Sequence, residues 1–195
     1  MDYLIEQGIK VDAIITDPPY AVTGYSWDQI IPFDQMWNKL LKLIKDDGAI
    51  VLFGNEPFSS NLRMSNPKMY RYDWKWIKTQ VTGFQNAKYQ PLRCYEDIMV
   101  FSKCGAVASA KPPMRYFPQG IIPVNLKVTT KPINYLGDKK SNEKVSYTQE
   151  EANFPRNVIQ FARETDLYHP TQKPIVLMEY IVSTYSKRGD LVLDF

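Results

Sequence analysis

The sequence predicts an α/β fold, a mixed sheet of about five strands covered by helices and interrupted by one long basic insertion. Three observations lead there. Short apolar runs alternate with helical periodicity through the first third of the chain. A proline- and lysine-rich stretch over residues 105–156 then breaks that pattern, and strand and helix signals return from residue 157 onward. The organisation read from this is a first core segment at 1–104, an insertion at 105–156 and a second core segment at 157–195.

Taken in order, Asp2 to Gln7 reads as a short helix. Asp12-Ala13-Ile14-Ile15-Thr16 is a buried strand that must stop at Asp17-Pro18-Pro19, because two prolines cannot continue a central strand. Phe33, Met36, Trp37, Leu40, Leu41 and Ile44 form one apolar helical face, with Gly48 as the expected stop. Ala49 to Phe53 is a second buried strand, and a helix is expected near Pro57 to Met64. Tyr70 to Lys78 and Cys94 to Lys103 predict an antiparallel pair, joined by a polar loop from Thr79 to Gln90. Asn157 to Phe161 restores regular structure. A helix over Pro174 to Lys187 follows, with Ile175, Met178, Val182 and Tyr185 on one face. Asp190 to Asp194 is a last buried strand, expected to pair beside Asp12 to Thr16.

Composition narrows the function classes. The chain has 195 residues and a net charge of +3, and no apolar run approaches the ~20 residues that span a bilayer. The start, Met1-Asp2-Tyr3-Leu4-Ile5-Glu6, has neither the basic start nor the small-residue cleavage site of a secretion signal, which predicts a cytoplasmic location. Cys94 and Cys104 lie roughly 33 Å apart if both belong to one strand, too far for a bridge, and neither belongs to a metal-ligand pattern. Free thiols in a reducing compartment follow.

The charge is unevenly placed. Residues 105–156 carry eight Lys/Arg (Lys111, Arg115, Lys127, Lys131, Lys139, Lys140, Lys144, Arg156) against four acids, a net of +4, while the rest of the chain is at −1. Charge alone admits a phosphate-contacting surface or a solvated basic loop.

The chemistry concentrates at Asp17-Pro18-Pro19-Tyr20. Ligand crevices in open α/β sheets lie at the carboxyl ends of the strands, where this turn falls. Asp17 can accept a hydrogen bond from an exocyclic amino group, and Pro18 keeps a carbonyl acceptor while donating nothing. The prolines stiffen the turn, and Tyr20 offers a flat face on which a base can stack. Two acceptors on an amino group draw its nitrogen toward a pyramidal geometry, freeing the lone pair for attack on an electrophilic carbon. The same tetrapeptide also reads as a plain strand-ending turn, and by itself leaves both readings open.

A second element is His169-Pro170-Thr171-Gln172-Lys173-Pro174, which contains the single histidine of the chain and leads straight into a helix and the last strand. With Asp17 to Tyr20, in this order and separation, it resembles the β-class of DNA amino-methyltransferases. The resemblance extends over essentially the whole chain. It includes Trp76 and Lys78, the loop through Gly83 and Asn86, the strand from Tyr95 to Lys103 and the segment Phe154 to Val158.

That resemblance implies an S-adenosylmethionine-dependent enzyme with a Rossmann-like methyltransferase sheet, acting on double-stranded DNA. It implies that Asp17, Pro18, Pro19 and Tyr20 hold a base turned out of the duplex, adenine N6 in preference to cytosine N4. His169, Thr171, Gln172 and Lys173 would lie beside the cofactor, with Lys173 a partner for its carboxylate and Asp194 and Phe195 opening the cofactor loop. The basic insertion falls where the family keeps its target-recognition region, so Lys111, Arg115, Lys127, Lys131, Lys139, Lys140 and Arg156 become DNA contacts. Relative to the family pattern the chain starts late and stops before the glycine turn. This predicts weak binding of S-adenosylmethionine by this chain alone, and an apolar sheet edge open to self-association. Two function classes follow, an active amino-methyltransferase and a DNA-binding chain without turnover.

Overall fold

The computed structural model describes residues 1–21, 25–26, 28–130, 145–164, 168–169 and 171–195. Contacts between residues divide them into two units, Met1–Phe117 with Asn157–Phe195, and Pro118–Arg156.

The first unit opens with helix α1 (Asp2–Glu6), strand β1 (Val11–Thr16), helix α2 (Phe33–Leu43) and strand β2 (Ile44–Gly54). Helix α3 (Phe58–Ser65) and strands β3 (Tyr70–Thr82) and β4 (Arg93–Phe101) follow. The second unit holds β5 (Ile122–Thr130) and β6 (Val145–Ala152), after which β7 (Val158–Phe161), α4 (Ile175–Tyr185) and β8 (Val192–Leu193) return to the first.

The first unit's sheet has six strands in the order β7-β3-β4-β2-β1-β8. β1 pairs parallel with β2 and β8, β4 runs antiparallel to both β2 and β3, and β7 is parallel to β3. The predicted pairing of the last strand beside β1 is present, with Ala13 opposite Val192 and Ile14 opposite Leu193. The sixth strand beyond the expected five is β7, whose Val158 to Phe161 face Lys75 to Lys78.

Alternation along the strands divides the core into two layers, as a sheet covered on both faces requires. Ile14, Ile50, Leu52, Met99 and Phe101 pack with Met36, Trp37, Leu40 and Leu62 of α2 and α3. Ala13, Ile15, Val51, Phe53, Ile98 and Val100 pack with Leu177, Ile181 and Tyr185 of α4. Every residue of β1 is buried, which is why it reads as a continuous apolar run rather than an alternating one.

Three local expectations change. Helix α2 ends at Leu43, and Ile44 is already extended and pairs with Val11. Gly48 therefore lies inside β2 and is no helix stop. A Cβ there would sit 2.6 Å from Ile44 Cδ1 and 2.7 Å from the Asp12 carbonyl oxygen, so close backbone approach is its reason. Strand β3 runs on to Thr82, so the polar loop is displaced to residues 83–92, where it opens at Gly83 with a φ of +93° and makes a short 3-10 turn over Phe84–Asn86. Helix α4 buries Leu177, Ile181, Thr184 and Tyr185, whereas Ile175 is 56% exposed. That helix is apolar most of the way round: of the predicted stripe Tyr185 is buried, Met178 and Val182 are half-buried against the same core, and Ile175 alone faces outward.

Residues 105–117, read as the start of the insertion, pack with the first unit. Met114 is buried and its N–H donates to the Gly105 carbonyl, and the Phe117 N–H donates to the Thr184 carbonyl. The second unit is an antiparallel β5–β6 pair, with Ile122 opposite Ala152 and Thr129 opposite Ser146. Cys94 and Cys104 are free thiols.

Candidate functional site

The strand pattern brings the chemistry to one edge of the sheet. β1 and β8 are parallel, so Asp17 after β1 and Asp194-Phe195 after β8 emerge side by side. The Thr16 hydroxyl donates to the Phe195 carbonyl at 3.0 Å and ties the two ends together. β4 is antiparallel to β2, so its beginning, not its end, reaches the same edge and delivers Glu96. Trp76 of β3 stands opposite Glu96, and Lys78 follows two residues on.

These ends surround a pocket of about 720 Å³ within the first unit. Asp17, Pro18, Pro19, Tyr20, His169, Thr171, Gln172, Lys173, Asp194 and Phe195 all line it, so every residue singled out for the base and the cofactor meets in one cavity. Pro170 lies outside the described residues.

The turn after β1 is held by its surroundings. Ala21 has a φ of +55°, a conformation that costs a residue with a Cβ, and its N–H donates to Asp28 Oδ1 at 2.8 Å. The Tyr20 ring leans on Phe58 with centroids 5.4 Å apart. Burial, reinforced by the Asp17 and Glu96 charges, pushes the Tyr20 hydroxyl well above its ordinary value despite Lys173 nearby, so it stays protonated.

Lys173 is the hub of the pocket. Its side chain is only 8% exposed, and its Nζ lies 2.5 Å from Asp17 Oδ2 and 3.3 Å from Glu96 Oε2. Burial opposes its charge, but Asp17 and Glu96 outweigh burial and raise its pKa, so the ammonium form persists. Glu96 is also ion-paired with Lys78. Burial raises Asp17 above the usual carboxylate value, with Glu96 adding to the rise and Lys173 opposing it. Asp17 Oδ1 is buried and makes no hydrogen bond, and neither does Glu96 Oε2. A buried acceptor without a donor calls for an explanation, and a ligand that brings the donor is one.

The second motif forms a compact turn. Thr171 Oγ1 lies 3.0 Å from His169 Nδ1, the Gln172 N–H donates to the His169 carbonyl, and Gln172 Oε1 accepts from the Tyr168 N–H. The first N–H of α4, from Ile175, donates to the Glu164 carboxylate at 2.9 Å, which satisfies one of the helix's open N-terminal donors.

With this arrangement in view, the comparisons with known proteins are direct. A family model of DNA methylases of the N6/N4 type matches residues 11–195. The chain belongs to that family. It is 26% identical over 198 residues to the type II methyltransferase M.HpaI of Haemophilus parainfluenzae, covering 95% of this chain and 57% of that relative. The chain thus spans a little over half the length of this curated relative. Its backbone is similar to a crystal structure of an M1.HpyAVI–SAM complex, with a TM-score of 0.59 and 21% identity over 99% of this chain and 76% of the other. A second crystal structure, of M1.HpyAVI, gives 0.55 and 17%, over 99% and 72%. At those identities the likeness speaks to the fold.

Within this member of the N6/N4 family, the basic residues do not form one group. Arg115 is engaged at the other end of the sheet, where its guanidinium lies 2.6 Å from Asp12 Oδ1 and 3.0 Å from Asp190 Oδ2. Its part is to neutralise two carboxylates of the core unit, which corrects its reading as a DNA contact. Lys111 is exposed on the first unit, and Lys127 and Arg156 are exposed on the second. Lys131, Lys139 and Lys140 lie outside the described residues.

Sequence reasoning missed Glu96. The available signal was an acidic pair, Glu96-Asp97, at the head of the buried run Ile98 to Phe101, since carboxylates are rarely buried without a partner. Lys173 was singled out in the sequence, and its ammonium is ion-paired with Asp17 and Glu96.

Proposed function

We propose that this DNA methylase transfers a methyl group from S-adenosylmethionine to the exocyclic amino nitrogen of a base turned out of double-stranded DNA, adenine N6 being the target. The observation that carries the reading is the unpartnered, buried Asp17 Oδ1 at the wall of a pocket shared with Tyr20, Lys173 and Phe195. An amino hydrogen is the donor this oxygen lacks. The base must leave the stack because its amino group is otherwise paired inside the duplex.

The chain's residues divide the work. Asp17 Oδ1 and the Pro18 carbonyl accept the two amino hydrogens, and the Tyr20 ring provides a stacking face. The methyl donor fits the side of the pocket formed by Asp194, Phe195 and the His169–Gln172 turn, which supplies ring, hydroxyl and amide groups around a cavity of adequate size. S-adenosylmethionine brings an electrophilic methyl to that pocket. Asp17, whose Oδ1 is buried, is the nearest base for the proton the nitrogen sheds after transfer. Adenine is favoured over cytosine because Asp opens the tetrapeptide, a choice that in the family goes mostly with adenine. Within residues 105–156, Lys111, Lys127 and Arg156 are exposed, described cations that phosphates can reach.

The test is transfer of labelled methyl from S-adenosylmethionine to duplex DNA by the full-length protein, with the digested nucleosides resolved by mass spectrometry. N6-methyladenine supports the reading, whereas N4-methylcytosine keeps the enzyme and changes the base. DNA binding without any methylated nucleoside overturns it in favour of a binding protein. Lys127→Ala is expected to lower the slope of log affinity against log salt by about 1.

A further inference from the structure

We propose that Lys173 is a positioning residue for Asp17, and that Glu96 is the anchor on β4 that holds Lys173 in place. The inference deepens the proposed function and rests on that reading of Asp17 as the amino-group acceptor.

Geometry carries it. A carboxylate after two prolines can still turn about its own side-chain bonds, so a stiff backbone alone does not choose which oxygen meets the ligand. Lys173 Nζ makes that choice by gripping Oδ2 at 2.5 Å, which leaves Oδ1 as the acceptor without a partner. A lysine has a flexible four-carbon stem and cannot hold a carboxylate still unless it is itself held. Glu96 supplies the hold from a sheet strand at 3.3 Å, and Glu96 is in turn fixed by its ion pair with Lys78 on β3. The chain of contacts therefore runs from two adjacent strands through Glu96 and Lys173 to the oxygen that works. The Lys173 ammonium also sits 5.3 Å from the Phe53 ring centroid and 5.9 Å from that of Tyr20, which leaves it little room to swing toward a cofactor.

Electrostatics agree with the geometry. Lys173 favours the ionised form of Asp17, while Glu96 disfavours it. Tyr20, protonated, adds a smaller hydrogen-bonding contribution, and Lys78 is ion-paired with Glu96. Asp28, Arg163, His169 and Asp194 line the same pocket. Lys173 and Glu96 thus push the same carboxylate in opposite directions.

The experiment uses full-length protein and the variants Lys173→Gln, Lys173→Arg and Glu96→Gln. The Asp17 carboxyl carbon is titrated by carbon-13 NMR, assigned with Asp17→Asn, beside the acidic limb of kcat/KM for methyl transfer. Lys173→Gln is expected to raise the Asp17 titration by about 1 unit or more. Glu96→Gln is expected to lower it, and Lys173→Arg to leave it near the parent's. Turnover in Lys173→Gln is expected to fall about 100-fold with little change in KM for S-adenosylmethionine. A mainly raised cofactor KM would overturn the proposal and return Lys173 to the cofactor carboxylate. So would titrations that move together or not at all. Should Lys173→Gln not fold, the opposite-sign shift in Glu96→Gln and the unshifted Lys173→Arg still decide. If the parent transfers no methyl group, the functional reading fails, while the titration judges the positioning separately.

Discussion

Strand β1 carries a carboxylate cluster at each end, Asp12 with Arg115, Lys45 and Asp190 at its start, and Asp17 with Lys173 and Glu96 just past its finish. Both mix acids with cations at the rim of the same sheet, and their hydrogen bonding differs. At the start, Asp12 Oδ1 accepts from Lys45 at 2.7 Å and from Arg115 at 2.6 Å, and Oδ2 accepts from the Leu191 N–H at 3.0 Å. Burial pushes Asp12 up, but those bonds and charges outweigh it and hold its pKa below the ordinary value. At the finish, Asp17 keeps one oxygen bare and burial wins, so its pKa is raised. A cluster that is complete on its own stabilises the fold; one that leaves a dry acceptor waits for a ligand.

Several experiments would break or sharpen that contrast. The largest effect is expected from Asp17→Ala, with methyl transfer reduced about 1000-fold or more, while urea denaturation shows a change small beside that loss. A collapse of stability together with activity would erase the distinction between the two ends. Arg115→Ala is expected to do the converse, removing about 3 kcal/mol of stability because Asp12 and Asp190 lose a shared partner. Activity per folded molecule should stay near the parent's, measured at a temperature where both are folded.

Gly48→Ala attacks the first cluster through the backbone, since the new methyl group would meet the Asp12 carbonyl. A loss of about 1–3 kcal/mol is expected, again from denaturation midpoints.

The smallest effect is a difference of sign in pH dependence. Asp12 has a folded pKa below the ordinary 3.8, so the stability it contributes is present above that value and lost as pH falls through the folded pKa. Asp17 has a folded pKa above 3.8, so the matching contribution is present below that value and lost as pH rises through the folded pKa. Between about pH 3 and 6, the stability of the parent minus that of Asp12→Asn should rise with pH, and minus that of Asp17→Asn should fall. Equal signs would mean that the two carboxylates feel the same environment.

Much of this protein was open to reading along the chain. Strands β1 and β2 announce themselves because burial on both faces demands unbroken apolar runs, and the two prolines after Asp17 mark where the first must stop. Ten residues of the pocket wall were named because they fall in two contiguous motifs, Asp17 to Tyr20 and His169 to Lys173, and at the last strand's end. Glu96 was hidden for the opposite reason: it comes from mid-sequence on β4, and cross-strand register with Trp76 is what brings it to the pocket. Arg115 looked like one more basic residue in a basic stretch until packing set it against Asp12 and Asp190.

The sequence by itself determined the α/β class, the strand-ending turn with its acceptors, and the chemical kind of the second motif. These depend on local rules of burial, proline geometry and side-chain chemistry. Only the tertiary structure decided which charges are paired and which are left bare. Asp12 lies in β1 and Asp17 just past its end, and their neighbouring letters do not say which of the two carboxylates is fully paired. Their difference lies in partners that are more than thirty residues away in sequence and arrive through sheet order and helix packing.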